Sequence, residues 1–440
     1  MFKNRLSPDQ VDAVSFDPTG RWLAVGRAGG EVQIWETTTE GKQWCFSMGG
    51  EASHSVNAFV WKPNSANSSS SSGNVELASY RLFSTGIHGM ISEWDLSRGV
   101  EKASFPTHGG AAWDMCATEE GFAIACDDGC LRLFTVNDEF DADGDATGLD
   151  AVSFKKAFKT GKSQTRVLSV CRVDDKLFVG GADSTISKWN LKTGACEDRM
   201  TTEKHPKHAT IVWSVCDIGH GFIVSGDSSG AVLLWDTNTM TLVNKFSEHQ
   251  ADVMKVIRVG SGRFASAGVD GKICVFSCRK LAENGMDGVA FQNCITGHAN
   301  DIRALAASDR TMVSGGVCGN LHFHEMKKEH SDELDRNGVR NGGEKRKKKN
   351  RFGLSDRVGP YGGISKRVHH ASAARVVLCQ HQRRADVWYL QPPKGIKASA
   401  SCAHSPQPVK MWSLKLKGAQ KHILASALAP GGDVVALSDS

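Results

Sequence analysis

A strand–turn–strand unit ending in an aromatic residue recurs along most of this chain, and no other feature limits its possible folds as sharply. "RWLAVGRAGGEVQIWE" ends at Trp35-Glu36, "RLFSTGIHGMISEWD" at Trp94-Asp95 and "GFAIACDDGCLRLF" at Phe134. "KLFVGGADSTISKWN" ends at Trp189-Asn190, "GFIVSGDSSGAVLLWD" at Trp235-Asp236, "RFASAGVDGKICVF" at Phe276 and "TMVSGGVCGNLHF" at Phe323. Each unit follows a further short strand: "VDAVSF", "VNAFVW", "AAWDMC", "RVLSVC", "IVWSVC", "DVMKVI" or "DIRALA". Where nothing is inserted the aromatic ends lie about 40–47 residues apart, a period that belongs to repeat architectures.

That period, with four short strands per unit, predicts an all-β fold: a WD40 β-propeller of seven blades, followed by the start of a second, incomplete propeller. Inner strands such as "AVLLW" are nearly continuous apolar runs, as expected where both faces of a sheet are covered. Trp35, Trp94, Trp189 and Trp235 read as packing residues between blades, and Asp95 and Asp236 as polar strand ends. His249, Ser266 and Asp270 offer a buried hydrogen-bonded chain of the WD40 kind, with Phe276 lacking the indole N–H that would complete it. "GHANDI" supplies His298 to the seventh unit, where Cys318 stands in the usual aspartate region. Repetition favours structural roles for these histidines over catalytic ones.

The chain has 440 residues, 40% of them hydrophobic, enough for more than one domain or a large repeat array. No charged-then-apolar leader is read at the amino terminus and no apolar run approaches the ~20 residues that span a bilayer, so a soluble intracellular protein is expected. Thirteen cysteines include no CxxC pair, the usual zinc spacing. Cys116, Cys171 and Cys216 fall at one equivalent place in successive units and read as small buried hydrophobes in a reducing compartment. His205 and His208 in "HPKHA" lack a third ligand nearby. No metal, cofactor or catalytic residue is expected, and no membrane or small-molecule partner.

Three insertions interrupt the repeat. Asn64–Asn74 is serine-rich and Asn137–Asp150 carries six acids and no bases. The acidic stretch has Ala146 and Val152 where a calcium loop needs glycine and glutamate, so a solvated loop is expected. The third, within Met326–Arg375, holds 14 Lys+Arg against 6 Asp+Glu, a net of +8, while the whole chain carries +5 and the remainder therefore −3. Its basic run is Lys345, Arg346, Lys347, Lys348, Lys349 and Arg351, open to three readings: nuclear or nucleolar import, nucleic-acid contact, or a solubilising loop. The expected domains are a seven-bladed propeller over 1–325, a basic flexible linker over 326–367 and a partial second propeller of about one and a half blades over 368–440. Residues from Asn4 to Val11 are expected to offer an outer strand that closes the ring.

Taken in order, "RLFSTGIHGMISEWDL", "GGAAWDM", "ACDDGCLRLF", "TRVLSV", "IVWSVCDIGHGFIVSGDSSGAVLLWDTNTMTLV", "ADVMKV" and "NDIRALAASDRTMVSGG" resemble the cirhin family, as do "RRADVWYL" and "LKLKGAQKHILASALAPGGDVVAL" beyond the basic segment. These are WD40-repeat, U3 small nucleolar RNA-associated components of the UtpA subcomplex. The resemblance implies tandem propellers and a non-enzymatic, nucleolar scaffold of the small-subunit processome. It also implies binding to the 5′ external transcribed spacer of pre-rRNA in the U3 ribonucleoprotein context, and support of 18S rRNA maturation alongside UtpA-type proteins. Against that pattern, this sequence is expected to end within a second propeller. The alternative reading is a generic WD40 adaptor of another pathway, a ubiquitin-ligase substrate receptor or chromatin platform.

Overall fold

The computed structural model describes residues 9–37, 42–49, 54–64, 77–137, 152–160, 165–203, 209–260, 262–280, 286–326, 352–358, 368–372, 374–380, 384–390, 409–415 and 423–439. These residues form strands and turns with a single short 3-10 turn at Leu77–Ser79, and none of their helices is long and apolar enough to cross a membrane. The chain divides into two compact units, residues 9–359 and residues 1–8 with 360–440.

Seven four-stranded antiparallel sheets follow one another among the described residues of the first unit. The first sheet is β1 (Val11–Phe16), β2 (Trp22–Arg27), β3 (Glu31–Thr37) and β4 (Lys42–Gly49), hydrogen-bonded in that order. The other six repeat this meander, ending with Ile302–Ala307, Thr311–Gly316, Leu321–Met326 and Phe352–Val358. Short turns permit it: after the second strand of the fifth sheet, Gly230 adopts φ 83°, and a Cβ there would meet the His249 carbonyl at 2.7 Å.

Burial explains the composition of the strands. Gly121–Cys126, a second strand, is buried at every residue, whereas the fourth strands Val100–Pro106 and Thr241–Phe246 lie largely exposed. Apolar residues therefore fill the second and third strands, while the outer edge mixes charged residues with the exposed Val100, Leu242 and Val243. In the first six sheets the pairing of third with fourth strand shifts register immediately before Trp35, Trp94, Phe134, Trp189, Trp235 and Phe276. Such bulges re-aim side chains.

Seven apolar clusters join consecutive sheets, and the last joins the seventh to the first through Val11, Leu23, Trp35, Val313, Leu321 and Phe323. Trp35 and Phe323 rings lie 5.9 Å apart across that seam. Arg27 fastens it, donating to the Gly319 carbonyl at 3.1 Å and to the Asp9 carbonyl at 2.8 Å. The first strands contact one another in turn and return from Ile302–Ala307 to β1, so the sheets form a circle.

Two sequence expectations are corrected here. The outer strand of the seventh sheet is Phe352–Val358, from inside the expected linker, rather than one supplied by residues before Val11. The aromatic place of that sheet belongs to His324 and not to Phe323. The strand-two serines Ser84, Ser225, Ser266 and Ser314 each stand ten residues before Trp94, Trp235, Phe276 and His324. His324 pairs with Met312, as Trp235 pairs with Ile223.

The second unit holds one four-stranded sheet, Val368–Ala371, Val376–Gln380, Arg384–Tyr389 and Val409–Lys415, and a hairpin, Ile423–Leu428 with Val435–Asp439. Ala371, Val376, Leu378, Ala385 and Val387 form its core, with Leu428 and Val435 packed against them.

Candidate functional site

Polar chains lock the blades. In the sixth sheet His249 Nε2 lies 2.8 Å from Ser266 Oγ and its Nδ1 lies 3.0 Å from Asp270 Oδ1. Burial alone would raise the Asp270 carboxyl, but its hydrogen bond to His249 and the backbone N–H groups of Gln250 and Lys272 hold it below the ordinary carboxylate range. Phe276 ends this chain without a donor. Elsewhere an indole takes part: Trp94 donates to Ser84 at 2.8 Å, Trp235 to Ser225 at 2.9 Å, and Trp189 to Ser187 at 2.8 Å. Trp35 is buried at the seam described above.

The acids after these tryptophans cap the next turn. Asp95 Oδ1 accepts from the backbone N–H groups of Ser97 and Arg98, each at 2.9 Å, and Asp236 Oδ1 from that of Asn238 at 2.7 Å. Side-chain acceptors of this kind replace backbone partners in tight turns.

The seventh sheet is built differently. His298 Nε2 lies 2.8 Å from Ser314 Oγ, Ser314 Oγ lies 3.1 Å from His324 Nε2, and Cys318 Sγ lies 3.6 Å from His298 Nδ1. His324 was missed in the sequence because the neighbouring Phe323 looked like the expected aromatic; the ten-residue offset from Ser314 was the signal that locates it.

The first strands of all seven sheets line a central channel of about 460 Å³. Lys255 of the sixth sheet reaches Asp114 of the third at 3.3 Å, and Asp114 also accepts from the Val170 backbone N–H at 3.1 Å. Arg303 lies 3.5 Å from Asp12, whose carboxyl burial raises against the opposing charge of Arg303. Trp113 and Trp213 stand in the wall, their indole N–H groups donating to Asp127 and Asp252 at 3.1 and 2.8 Å. Sequence reading did not find this cross-channel pair, since its members are far apart in the chain.

Among the described residues no cluster of three or more His, Cys, Asp or Glu is arranged to hold a metal ion. Cys116, Cys171 and Cys216 are free thiols, and burial pushes Cys116 up to about 12 and Cys216 up to about 11. Lys345, Arg346, Lys347, Lys348, Lys349 and Arg351 lie outside the described residues, as do His205, His208 and nearly all of the acidic and serine-rich insertions.

The repeated four-stranded sheets, the circle of first strands and the indole–serine bonds define a WD40-type β-propeller. The WD40 family (WD domain, G-beta repeat) matches residues 4–36. Three curated relatives extend the likeness. "U3 small nucleolar RNA-associated protein 4" of Schizosaccharomyces pombe is 29% identical over 71% of this chain and 43% of its own length. The Homo sapiens protein named as its homolog is 27% identical over 72% of this chain and 44% of its own length. That of Saccharomyces cerevisiae is 29% identical over 68% and 38%. The chain thus spans about two fifths of the length of the curated relatives it matches.

Proposed function

We propose that this chain is a non-enzymatic docking scaffold in ribosome biogenesis, acting within the small-subunit processome in the nucleolus. The observation that carries this reading is the likeness, over about 70% of the chain, to relatives named for association with U3 small nucleolar RNA. A closed ring of sheets supports it, because such a body presents many loop ends on a rigid frame. In this reading the chain binds the 5′ external transcribed spacer of pre-rRNA, together with UtpA-type partner proteins, and supports 18S rRNA maturation. Lys345, Arg346, Lys347, Lys348, Lys349 and Arg351 serve import or RNA contact.

The test is affinity purification of the tagged chain with sequencing of the bound RNA. Spacer reads and processome proteins are expected. Recovery of cytoplasmic or chromatin partners without pre-rRNA would reject the reading in favour of an adaptor in another pathway. If the six cations all meet phosphates, the logarithm of affinity falls with the logarithm of salt concentration at a slope of roughly −5. Replacing them with glutamate should flatten that slope.

A further inference from the structure

The seventh sheet departs from the others at two places in its hydrogen-bonded chain, and the two departures act together. In the second and fifth sheets an indole N–H donates to the strand-two serine. In the sixth, the outer partner of His249 is a carboxylate, which only accepts. In the seventh, His324 replaces the indole and Cys318 replaces the carboxylate.

His324 permits a direction of donation that an indole forbids. It is 2% exposed, and burial, with His322 and Lys42 nearby, pushes its pKa down to about 4, so the ring is neutral at physiological pH. Its Nε2 can then accept the Ser314 hydroxyl proton. Ser314 in turn presents its lone pairs to an N–H on His298 Nε2. His298 Nδ1 is left as the acceptor for the Cys318 thiol proton, 3.6 Å away. Once that proton has moved, both N–H groups of the imidazolium are partnered, one by Ser314 and one by the thiolate. An indole at position 324 would forbid this, because it donates to the serine and forces the serine proton onto His298 Nε2.

Cys318 stands in the turn between the second and third strands, partly exposed, beside Val317, which is 36% exposed. We propose that Cys318 is a thiol-modification site, activated by His298, that undergoes thiol–disulfide exchange with low-molecular-weight disulfides. In the exchange the Cys318 thiolate attacks one sulfur of the reagent. The new Cys318 disulfide bond forms, the reagent's own S–S bond breaks, and the departing thiolate collects the proton held by His298. Cys318 is oxidised and the departing half is reduced, so no other oxidant is required. The adduct would lie one residue from Gly319, whose carbonyl accepts from Arg27 at the ring seam.

Among the described residues, Cys116, Cys216 and Cys196 lack this arrangement. Burial raises Cys116 and Cys216, which disfavours their thiolates. Cys196 is exposed, but its sulfur faces the Asp198 carbonyl at 3.6 Å rather than a base.

The full chain is treated with glutathione disulfide at neutral pH, and the adduct on each cysteine is timed by peptide mass spectrometry. Cys318 should be modified about tenfold faster than Cys196, whose sulfur faces a carbonyl rather than a base. His324→Trp places at that position the residue found there in other sheets; it should slow Cys318 about tenfold and leave Cys196 unchanged. Cys318 reacting no faster than Cys196 in the unsubstituted chain overturns the proposal, however the variant folds. So does a full rate at Cys318 in His324→Trp.

Discussion

At the scale of single residues, the aromatic place of each sheet shows what the polar chain contributes. Trp235 both fills the seam between two sheets and donates to Ser225. Trp235→Phe keeps most of the apolar area and removes the donor, so a loss of about 1 kcal/mol is expected in urea denaturation. Trp235→Ala should cost about 3–5 kcal/mol. His324 makes the opposite point, because its folded pKa of about 4 lies below the ordinary imidazole value of 6.5. A depressed histidine favours the folded state fully above 6.5, and that contribution is lost as the unfolded chain takes up the proton first. Stability should therefore fall by roughly 3 kcal/mol between pH 6.5 and pH 4. His324→Phe should remove that part of the acid sensitivity, and a urea-midpoint series against pH checks it. The recurring aromatic strand ends made most of these positions legible in the sequence. His324 was not legible, because in "SGGVCGNLHFHEM" the neighbouring Phe323 stands as the expected aromatic.

At the scale of the element, the strands were readable because their burial leaves its mark on composition. Second and third strands are apolar and buried, and fourth strands are more exposed and mixed in composition. The exceptions are polar residues buried inside a sheet. Arg81 and Glu93 are paired at 2.9 Å with side chains 5% and 3% exposed, and Lys102 lies 3.6 Å from the same carboxylate. Arg81 also donates to the Asn137 carbonyl at 2.9 Å and lies 5.1 Å from the Phe83 ring centre. Removing one partner leaves a buried charge, so Glu93→Ala should destabilise by about 3–5 kcal/mol. The double variant Arg81→Met, Glu93→Leu should recover most of this, and a double-mutant cycle by thermal denaturation measures the difference. Sequence alone could not reveal the pair, since period-two reasoning places both residues without saying that they face one another.

At the scale of the whole molecule, the period of the repeat was enough to foresee a ring, but not its fastening. The seam rests on contacts between residues nearly the whole ring apart in sequence, such as Trp35 with Phe323 and Arg27 with Gly319. Arg27→Ala removes the donor to the Gly319 and Asp9 carbonyls and should cost about 1–3 kcal/mol in urea denaturation. The last strand of the ring, Phe352–Val358, comes from beyond the basic run, with Phe352 paired to Met326. The basic residues therefore fall, in sequence, between two strands that pair in the seventh sheet. Shortening the connecting segment by half should change stability by only about 0.6 kcal/mol. A single protease cut within residues 327–351 would leave two polypeptides joined by nothing covalent, yet the smaller piece would begin with a strand still clasped in its sheet. Nicked protein should elute from a sizing column as one particle and fall apart only in denaturant, so the ring can survive the severing of its most highly charged stretch.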